Sequence, residues 1–382
     1  MTPMTDEAEM LGIFEKIYGA TEGVYVGSAP GRVNIIGEHT DYNEGFVLPT
    51  PIGSCIWVAA RKRTDSEFRL YAHDYGEKHS FTLGKQVFSE KKRWANYVMG
   101  VVDALQRRGH RLGGSELAIK GDVPQSAGLS SSAALEVATA RALKGLFDLE
   151  IGPIELAYVG KSAENDFIGL QSGIMDQFCA SLGMQGQALL IDCRYNEHRN
   201  IEMPSGDALV AIHTGIKRKV ESSAYNERVK QCREGVESLR HVRSEIKSLR
   251  DANMNHLREV EGKIPDLIYR RCRHVVTENA RVLSAVEAIE TNNSAKLGSL
   301  MYESHISLRD DYGVSCPELD TLVEIARCTG YVLGARLTGA GFGGCTINLV
   351  PKRNLKKFIE EVPLRYREAT GLEPEVYPVW PQ

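Results

Sequence analysis

The sequence predicts an α+β protein of two domains, each a mixed or antiparallel sheet packed with helices. Three observations carry that expectation. At 382 residues the chain is longer than one ordinary core organises. Its first half alternates short β-like runs with helical ones. Its second half is strongly helical yet ends with a strand pair turned by glycines, so it needs a sheet as well.

The β-like runs are Val47-Leu48, Ser54 to Ala60, Glu67 to Tyr71, Glu116 to Lys120 and Ala188 to Asp192, each short and rich in apolar or β-branched residues. Helical spacing marks Trp94 to Arg107, Ser132 to Phe147 and Ile154 to Phe167. Between Arg194 and Gly206 the pattern breaks into polar residues, Pro204 and Gly206, which places a boundary near residue 200 and domains at 1–200 and 201–382. From Ser222 to Arg258 charges cover a helical face whose Leu and Val residues recur at helical spacing. Val332 to Leu337 and Cys345 to Val350 form the late strand pair. A cleft between two such domains is where a ligand is expected.

Composition narrows the function classes. Apolar residues make up 42% and charged residues 25%, the mix of a globular protein. Net charge is −4 and the pI near 6.2, with no basic stripe carrying interleaved aromatics, so no nucleic acid is expected. Any anionic ligand must be held locally. Eight cysteines are dispersed without Cys-x-x-Cys or zinc spacing, which fits free thiols in a reducing cytoplasm. An acidic start leads into an amphipathic stretch rather than a signal peptide, and no apolar run approaches membrane-spanning length, so neither export nor a membrane is expected.

The segment Ala29 to Gly45 places Arg32, Glu38, His39 and Asp41 within ten positions, punctuated by Pro30, Gly31, Gly37 and Gly45 as turns and loops are. Carboxylates accept from hydroxyls, guanidinium donates and imidazole does either, so the set suits a small polyhydroxylated ligand.

A second segment, Gly121 to Glu136, joins a strand to a helix through small residues and three consecutive serines. Small side chains let backbone N–H groups approach phosphate oxygens, and the new helix presents its positive end to the same anion. The Walker pattern and its lysine are absent. A serine helix cap is the plainer alternative for this loop taken alone.

A third segment, Leu337 to Val350, matches Gly-x-Gly-x-x-Gly at Gly339, Gly341 and Gly344. Because those glycines lead into a strand and not a helix, the dinucleotide-binding reading is rejected in favour of a tight inter-strand turn. Between these two segments, Asp176 lies in an apolar stretch where a lone carboxylate needs a cationic partner or a catalytic task, and Arg32 is the candidate partner. Glu164, twelve residues earlier, is a candidate hard-oxygen ligand for a divalent ion together with a serine of the cradle, and for either acid taken singly a helix-surface or cap residue is the plainer alternative.

With these residues in view, the chain resembles the GHMP kinases, and within them the galactokinase family. Gly31 to Asn43 is similar to the galactokinase signature, Gly128-Leu-Ser-Ser-Ser-Ala-Ala134 to the shared ATP-binding motif, and Leu337 to Gly344 to the third GHMP motif. Gly173 to Gln177, Ser222 to Arg228 and Ser304 to Asp311 are similar to galactokinase stretches too, so the likeness spans nearly the whole chain. It implies the two-domain GHMP fold with the active site in the interdomain cleft. It also implies ATP-dependent phosphorylation of the C1 hydroxyl of α-D-galactose to galactose 1-phosphate, the entry step of galactose catabolism, with ATP and Mg2+ as cofactors.

By the same resemblance Glu38, His39, Asp41, Gly173, Asp176 and Tyr225 hold sugar hydroxyls, and Asp176 and Arg32 are catalytic. Pro124, Gln125, Ser126, Ala127, Gly128, Leu129, Ser130, Ser131 and Ser132 hold the triphosphate, Trp94 lies by the adenine, and Ser132 with Glu164 holds magnesium. Ser126, Ser172 and Gly313 depart from the usual pattern, and Ser126 puts nucleotide affinity in question if its site needs positive φ. A sugar 1-kinase for N-acetylgalactosamine or galacturonate is an alternative decided by the pocket at the sugar 2-position. A non-catalytic sugar sensor is another, opposed by the complete Ser130 to Ala134 run. A cytoplasmic monomer or weak homo-oligomer is expected.

Overall fold

The computed structural model describes residues 6–124, 127–216 and 222–380, with side chains from 224 in the last span. Contacts group the chain into two units that interleave along the sequence. The first takes residues through Gly31, Gly53–Pro124 and Ser130–Leu182; the second takes Arg32–Ile52, the piece ending at Leu129, and everything from Gly183. The sequence reading drew one boundary near residue 200. Local periodicity reports which residues form an element and not which element a segment joins, so an interleaved division leaves no mark in it.

In a five-stranded sheet β1 (Tyr25–Asn34), β3 (Pro49–Lys62), β6 (Ser115–Gly121), β4 (Glu67–Ala72) and β5 (Glu77–Thr82) lie side by side in that order. It is mixed: β4 runs parallel to β6 and antiparallel to β5, and β6 runs antiparallel to β3. The first unit's helices are Glu7–Tyr18, Arg93–Arg107, Ser131–Phe147, Pro153–Ser162 and Met175–Leu182. Helix Ser131–Phe147 buries Ala133, Ala134, Val137, Ala138, Ala140 and Ala142 completely. Its small side chains let β1 come close: a Cβ added to Gly27 would meet the Ala138 carbonyl oxygen at 2.5 Å.

The second unit holds a four-stranded sheet, β10 (Gly334–Thr338), β11 (Cys345–Pro351), β9 (Asp207–His213) and β12 (Glu375–Pro378), antiparallel throughout. It also holds a three-stranded one, β2 (Phe46–Val47), β7 (Gln187–Asp192) and β8 (Glu197–Glu202). Val210, Ile212, Ala335, Val350, Phe358, Val362 and Tyr366 form one core cluster there; Leu239, Leu249, Val275, Leu308, Tyr312 and Leu337 belong to another.

Two expectations change. Residues 29–34 are strand, not turn; β1 is an edge of its sheet, where Pro30 and Gly31 are tolerated because one side needs no partner. The polar stretch after Arg194 contains β8, which pairs with β7 over Gln187 to Asp192; its polar residues fit an edge strand. The late strand pair forms as expected, in register from Gly334 opposite Leu349 to Thr338 opposite Cys345. None of the eight cysteines is joined in a disulfide, and among the described residues no helix is long and apolar enough to cross a membrane.

Candidate functional site

In the second unit the polar signature is built on an ion pair. Glu38 is 1% exposed, and its Oε2 lies 2.5 Å from Nη2 of Arg336, itself fully buried on β10. Asn34 Nδ2 donates to the same oxygen at 2.8 Å and the Gly339 N–H donates to Oε1 at 2.8 Å. Burial raises the Glu38 carboxyl, and the Arg336 charge with these N–H donors pulls against that rise. Arg336 Nη1 also donates to the Asn34 and Ile35 carbonyls, and its Nε to Ser304 Oγ, which donates to Glu278. Glu278 in turn accepts from the Gly37 N–H at 2.9 Å and pairs with Arg281. The signature loop is therefore clamped through buried charge. Two N–H donors and the Arg336 charge engage the Glu38 carboxylate, so the residue fixes the loop and still has acceptor sites to offer.

His39 follows at φ 63, a left-handed backbone uncommon outside glycine. Its Nδ1 meets the Tyr42 hydroxyl at 2.8 Å and its Nε2 the Ala340 carbonyl at 3.2 Å. Tyr225, half-buried on helix Ser222–Arg240, lies 5.8 Å from the His39 ring and 5.3 Å from Tyr42, centroid to centroid. Asp41 opens a short 3-10 turn, half-buried. His39, Asp41, Tyr42 and Tyr225 thus share one aromatic, polar corner.

Arg32 is 5% exposed; its N–H bonds the Leu129 carbonyl at 3.0 Å and its Nη1 the Gly128 carbonyl at 2.6 Å. It ties the signature to Ala127–Leu129 of the cradle. The glycine turn presses on the same piece: a Cβ on Gly339 would sit 3.1 Å from the Gly128 oxygen, and one on Gly344 3.1 Å from the Ala127 oxygen, both at positive φ. Close backbone approach is what these glycines permit. Gln125 and Ser126 lie outside the described residues.

In the first unit the cradle continues as Ser130, Ser131 and Ser132. Ser130 has φ 58 and does not cap helix Ser131–Phe147; its Oγ donates instead to Asp176 Oδ2 at 2.5 Å. Ser130, the N-cap residue, therefore leaves the leading N–H groups of that helix to other partners. Asp176 is half-buried in the first turn of helix Met175–Leu182, where the helix dipole favours its charge, and Gly173 is buried just before that helix.

Glu164 sits in a π-helical turn, Ala163–Ile168, a form common at functional positions. It accepts from Ser132 and from Ser172 Oγ, the latter at 2.8 Å. Burial raises the Glu164 carboxyl, and the neighbouring Asp176 charge adds to the rise. Glu136 is raised well above its ordinary value by burial and by Glu164 and Asp176; Gln177 donates to its Oε2, while its Oε1 has no partner among the described residues. Crowded, buried carboxylates of like charge favour one another's protonated form. Among the described residues no group of three or more His, Cys, Asp or Glu could hold a metal ion.

Trp94 is half-buried and donates from Nε1 to Glu77 at 2.8 Å; Pro124 is half-buried after β6. The sequence reading passed over Arg336, Glu278, Glu136, Tyr42, Tyr312 and Cys232. A charge inside the apolar run Val332 to Leu337, and another inside the alanine-rich start of helix Ser131–Phe147, were the available signals for Arg336 and Glu136.

Comparison with known proteins fits this geometry. Residues 96–184 match the GHMP kinases N terminal domain, 13–62 the galactokinase galactose-binding signature and 285–368 the GHMP kinases C terminal domain. The chain is 44% identical to a galactokinase of Roseiflexus sp. (strain RS-1) over 374 residues, covering 98% of this chain and 95% of the other. It superposes on the Lactococcus lactis galactokinase complexed with galactose with a TM-score of 0.93 at 37% identity, over 97% of each chain. The Methanococcus jannaschii mevalonate kinase, 20% identical with a TM-score of 0.66 over 92% of this chain and 96% of that one, shares the fold.

Proposed function

The chain belongs to the galactokinase family of the GHMP kinases, and from that premise we infer the roles its own residues play as it transfers the γ-phosphoryl group of ATP to the C1 hydroxyl of galactose. The observation that carries the reading is that the galactose-binding signature falls on residues 13–62, the span that holds Arg32, His39 and Asp41.

Phosphoryl transfer asks little covalent work of a protein; it needs the nucleophile in line and the spreading negative charge met by cations and N–H dipoles. In our reading Asp41, His39, Tyr225 and the Gly173 backbone hold the sugar hydroxyls, and Glu38 fixes the loop that carries two of them. Asp176 accepts or orients the C1 hydroxyl proton, and Ser130 steadies its carboxylate. Arg32, already ordering the Gly128 and Leu129 carbonyls, supplies positive charge for the transferring phosphoryl group. The uncapped start of helix Ser131–Phe147 receives the phosphates, and Trp94 borders the base. Ser132 and Glu164 would hold Mg2+, whose chemistry is to neutralise phosphate charge. The reading places the chain in the cytoplasm as a monomer or weak homo-oligomer, opening galactose catabolism.

A coupled ADP-release assay across galactose, glucose, N-acetylgalactosamine and galacturonate tests it. Turnover is expected with galactose; turnover with another hexose and none with galactose would overturn the substrate, and none with any sugar would overturn the catalytic reading.

A further inference from the structure

Three side chains absent from the roles above form a single file ending on His39. The His39 Nδ1 meets Tyr42 Oη at 2.8 Å, Tyr42 Oη meets Tyr312 Oη at 2.6 Å, and Tyr312 Oη meets Cys232 Sγ at 3.2 Å. Asn43 Nδ2 closes the far end on the same sulfur at 3.6 Å. At the near end His39 Nε2 faces the Ala340 carbonyl at 3.2 Å. Tyr312 is fully buried and Cys232 is 1% exposed.

The His39 end of this file has a fixed sense, and the far end is compatible with it. A carbonyl oxygen only accepts, so the His39 Nε2 must carry the proton in its bond to Ala340; an amide nitrogen only donates, so Asn43 gives its hydrogen to the sulfur. For a neutral imidazole the His39 end then orders every bond between, an order the sulfur permits because it can accept from Asn43 and still donate. The thiol donates to Tyr312, Tyr312 donates to Tyr42, and Tyr42 donates to a bare Nδ1. Burial raises the Cys232 thiol and holds both phenols well above their ordinary range, so all three keep the protons this order needs.

We propose that Tyr42, Tyr312 and Cys232 are positioning residues that fix His39 as the Nε2–H tautomer, making it a hydrogen-bond donor to an oxygen of the sugar. Without sugar that donor rests on the Ala340 carbonyl of the glycine turn. The file also spans three distant stretches of sequence, so the helix Ser222–Arg240 and the π-helical turn Leu308–Tyr312 both bear on one imidazole. The sugar contact rests on the functional reading above; the tautomer does not.

Two measurements on the full chain test the proposal. In 15N-histidine-labelled protein, with the His39 signals assigned by their loss in His39→Gln, long-range proton–nitrogen spectra should show a protonated Nε2 and a bare Nδ1. Tyr42→Phe should mix the tautomers. A His39 that carries its proton on Nδ1, or on both nitrogens, in the unsubstituted chain overturns the proposal. In kinetics, Tyr42→Phe should raise the galactose KM about 10-fold with kcat little changed, and Tyr312→Phe about 3-fold, the range of one buried neutral hydrogen bond and of its weakened neighbour. Both penalties should vanish in a His39→Gln background, where nothing remains to be oriented. Undiminished penalties there would mean the tyrosines act by packing alone. Should His39→Gln itself leave the galactose KM unchanged, the sugar contact fails while the tautomer spectra still decide the relay.

Discussion

The two units bury carboxylates in opposite ways. In the second, Glu38 and Glu278 are each matched by a guanidinium and by N–H or O–H donors, Arg336 for one and Arg281 for the other. In the first, Glu136 and Glu164 crowd near Asp176, and burial with like charge pushes both upward. Compensated acids build a scaffold, because removing a partner leaves a stranded charge. Acids that raise one another do not stabilise the fold as ions, and in our reading they are held for an incoming cation.

The sharpest way to break this contrast is to strip one scaffold acid of its partner. Arg336→Leu should destabilise the protein by about 3–5 kcal/mol, the usual penalty for an unpaired buried charge, read as a lower midpoint in urea. A change under ~1 kcal/mol would mean Glu38 is not held by that pair.

Next comes pH. His274 is fully buried, bonded to Ser307 Oγ and to the Glu38 carbonyl, and burial lowers it to about 4. A base held below its unfolded value favours the neutral fold, so its contribution is whole above about pH 6.5 and lost as pH falls toward 4, roughly 3 kcal/mol in all. Glu278, which burial would raise but the Arg281, His274 and Arg336 charges hold at about 2, adds a second loss below its ordinary 4.5. Thermal midpoints across pH 7 to 4 should drop, and should drop less in His274→Gln. Equal slopes would remove His274 from the account.

Activity separates the acids further. Asp176→Asn keeps shape but cannot take a proton, and we expect kcat to fall at least ~100-fold with the thermal midpoint unchanged or raised. Near-normal turnover would end its assigned role. The smallest effect sharpens the comparison most: Glu164→Gln should stabilise the metal-free protein by about 1 kcal/mol by easing like-charge burial, while abolishing the added stability that Mg2+ with ATP gives the unsubstituted chain. A destabilised Glu164→Gln would place that acid among the scaffold.

Much of this was legible in the sequence because it is local. The glycine turn between two apolar runs announced β10 and β11, and three serines before an alanine-rich helix announced the cradle. The crowding of Arg32, Glu38, His39 and Asp41 announced the polar corner. What stayed hidden depends on long loops closing. Tyr42, Cys232 and Tyr312 are ordinary residues until folding sets them in line, and nothing near Arg336 in sequence says that Glu38 is its partner. The second task of Glu38 was hidden for the same reason: its residue type suits a sugar hydroxyl, and only folding shows that it also anchors the loop.

The interleaving of the two units governs how the molecule can be assembled. Arg32–Ile52 leaves the ribosome early yet belongs with a body whose remaining sheets begin only after Gly183. A nascent chain therefore carries this segment for more than a hundred residues before the later sheets of its unit exist, and a gene cut near codon 200 would give two fragments of which the latter lacks its own founding piece. Splitting this polypeptide for complementation or biosensing calls for a break inside one body's continuous stretch, not at the midpoint of the reading frame.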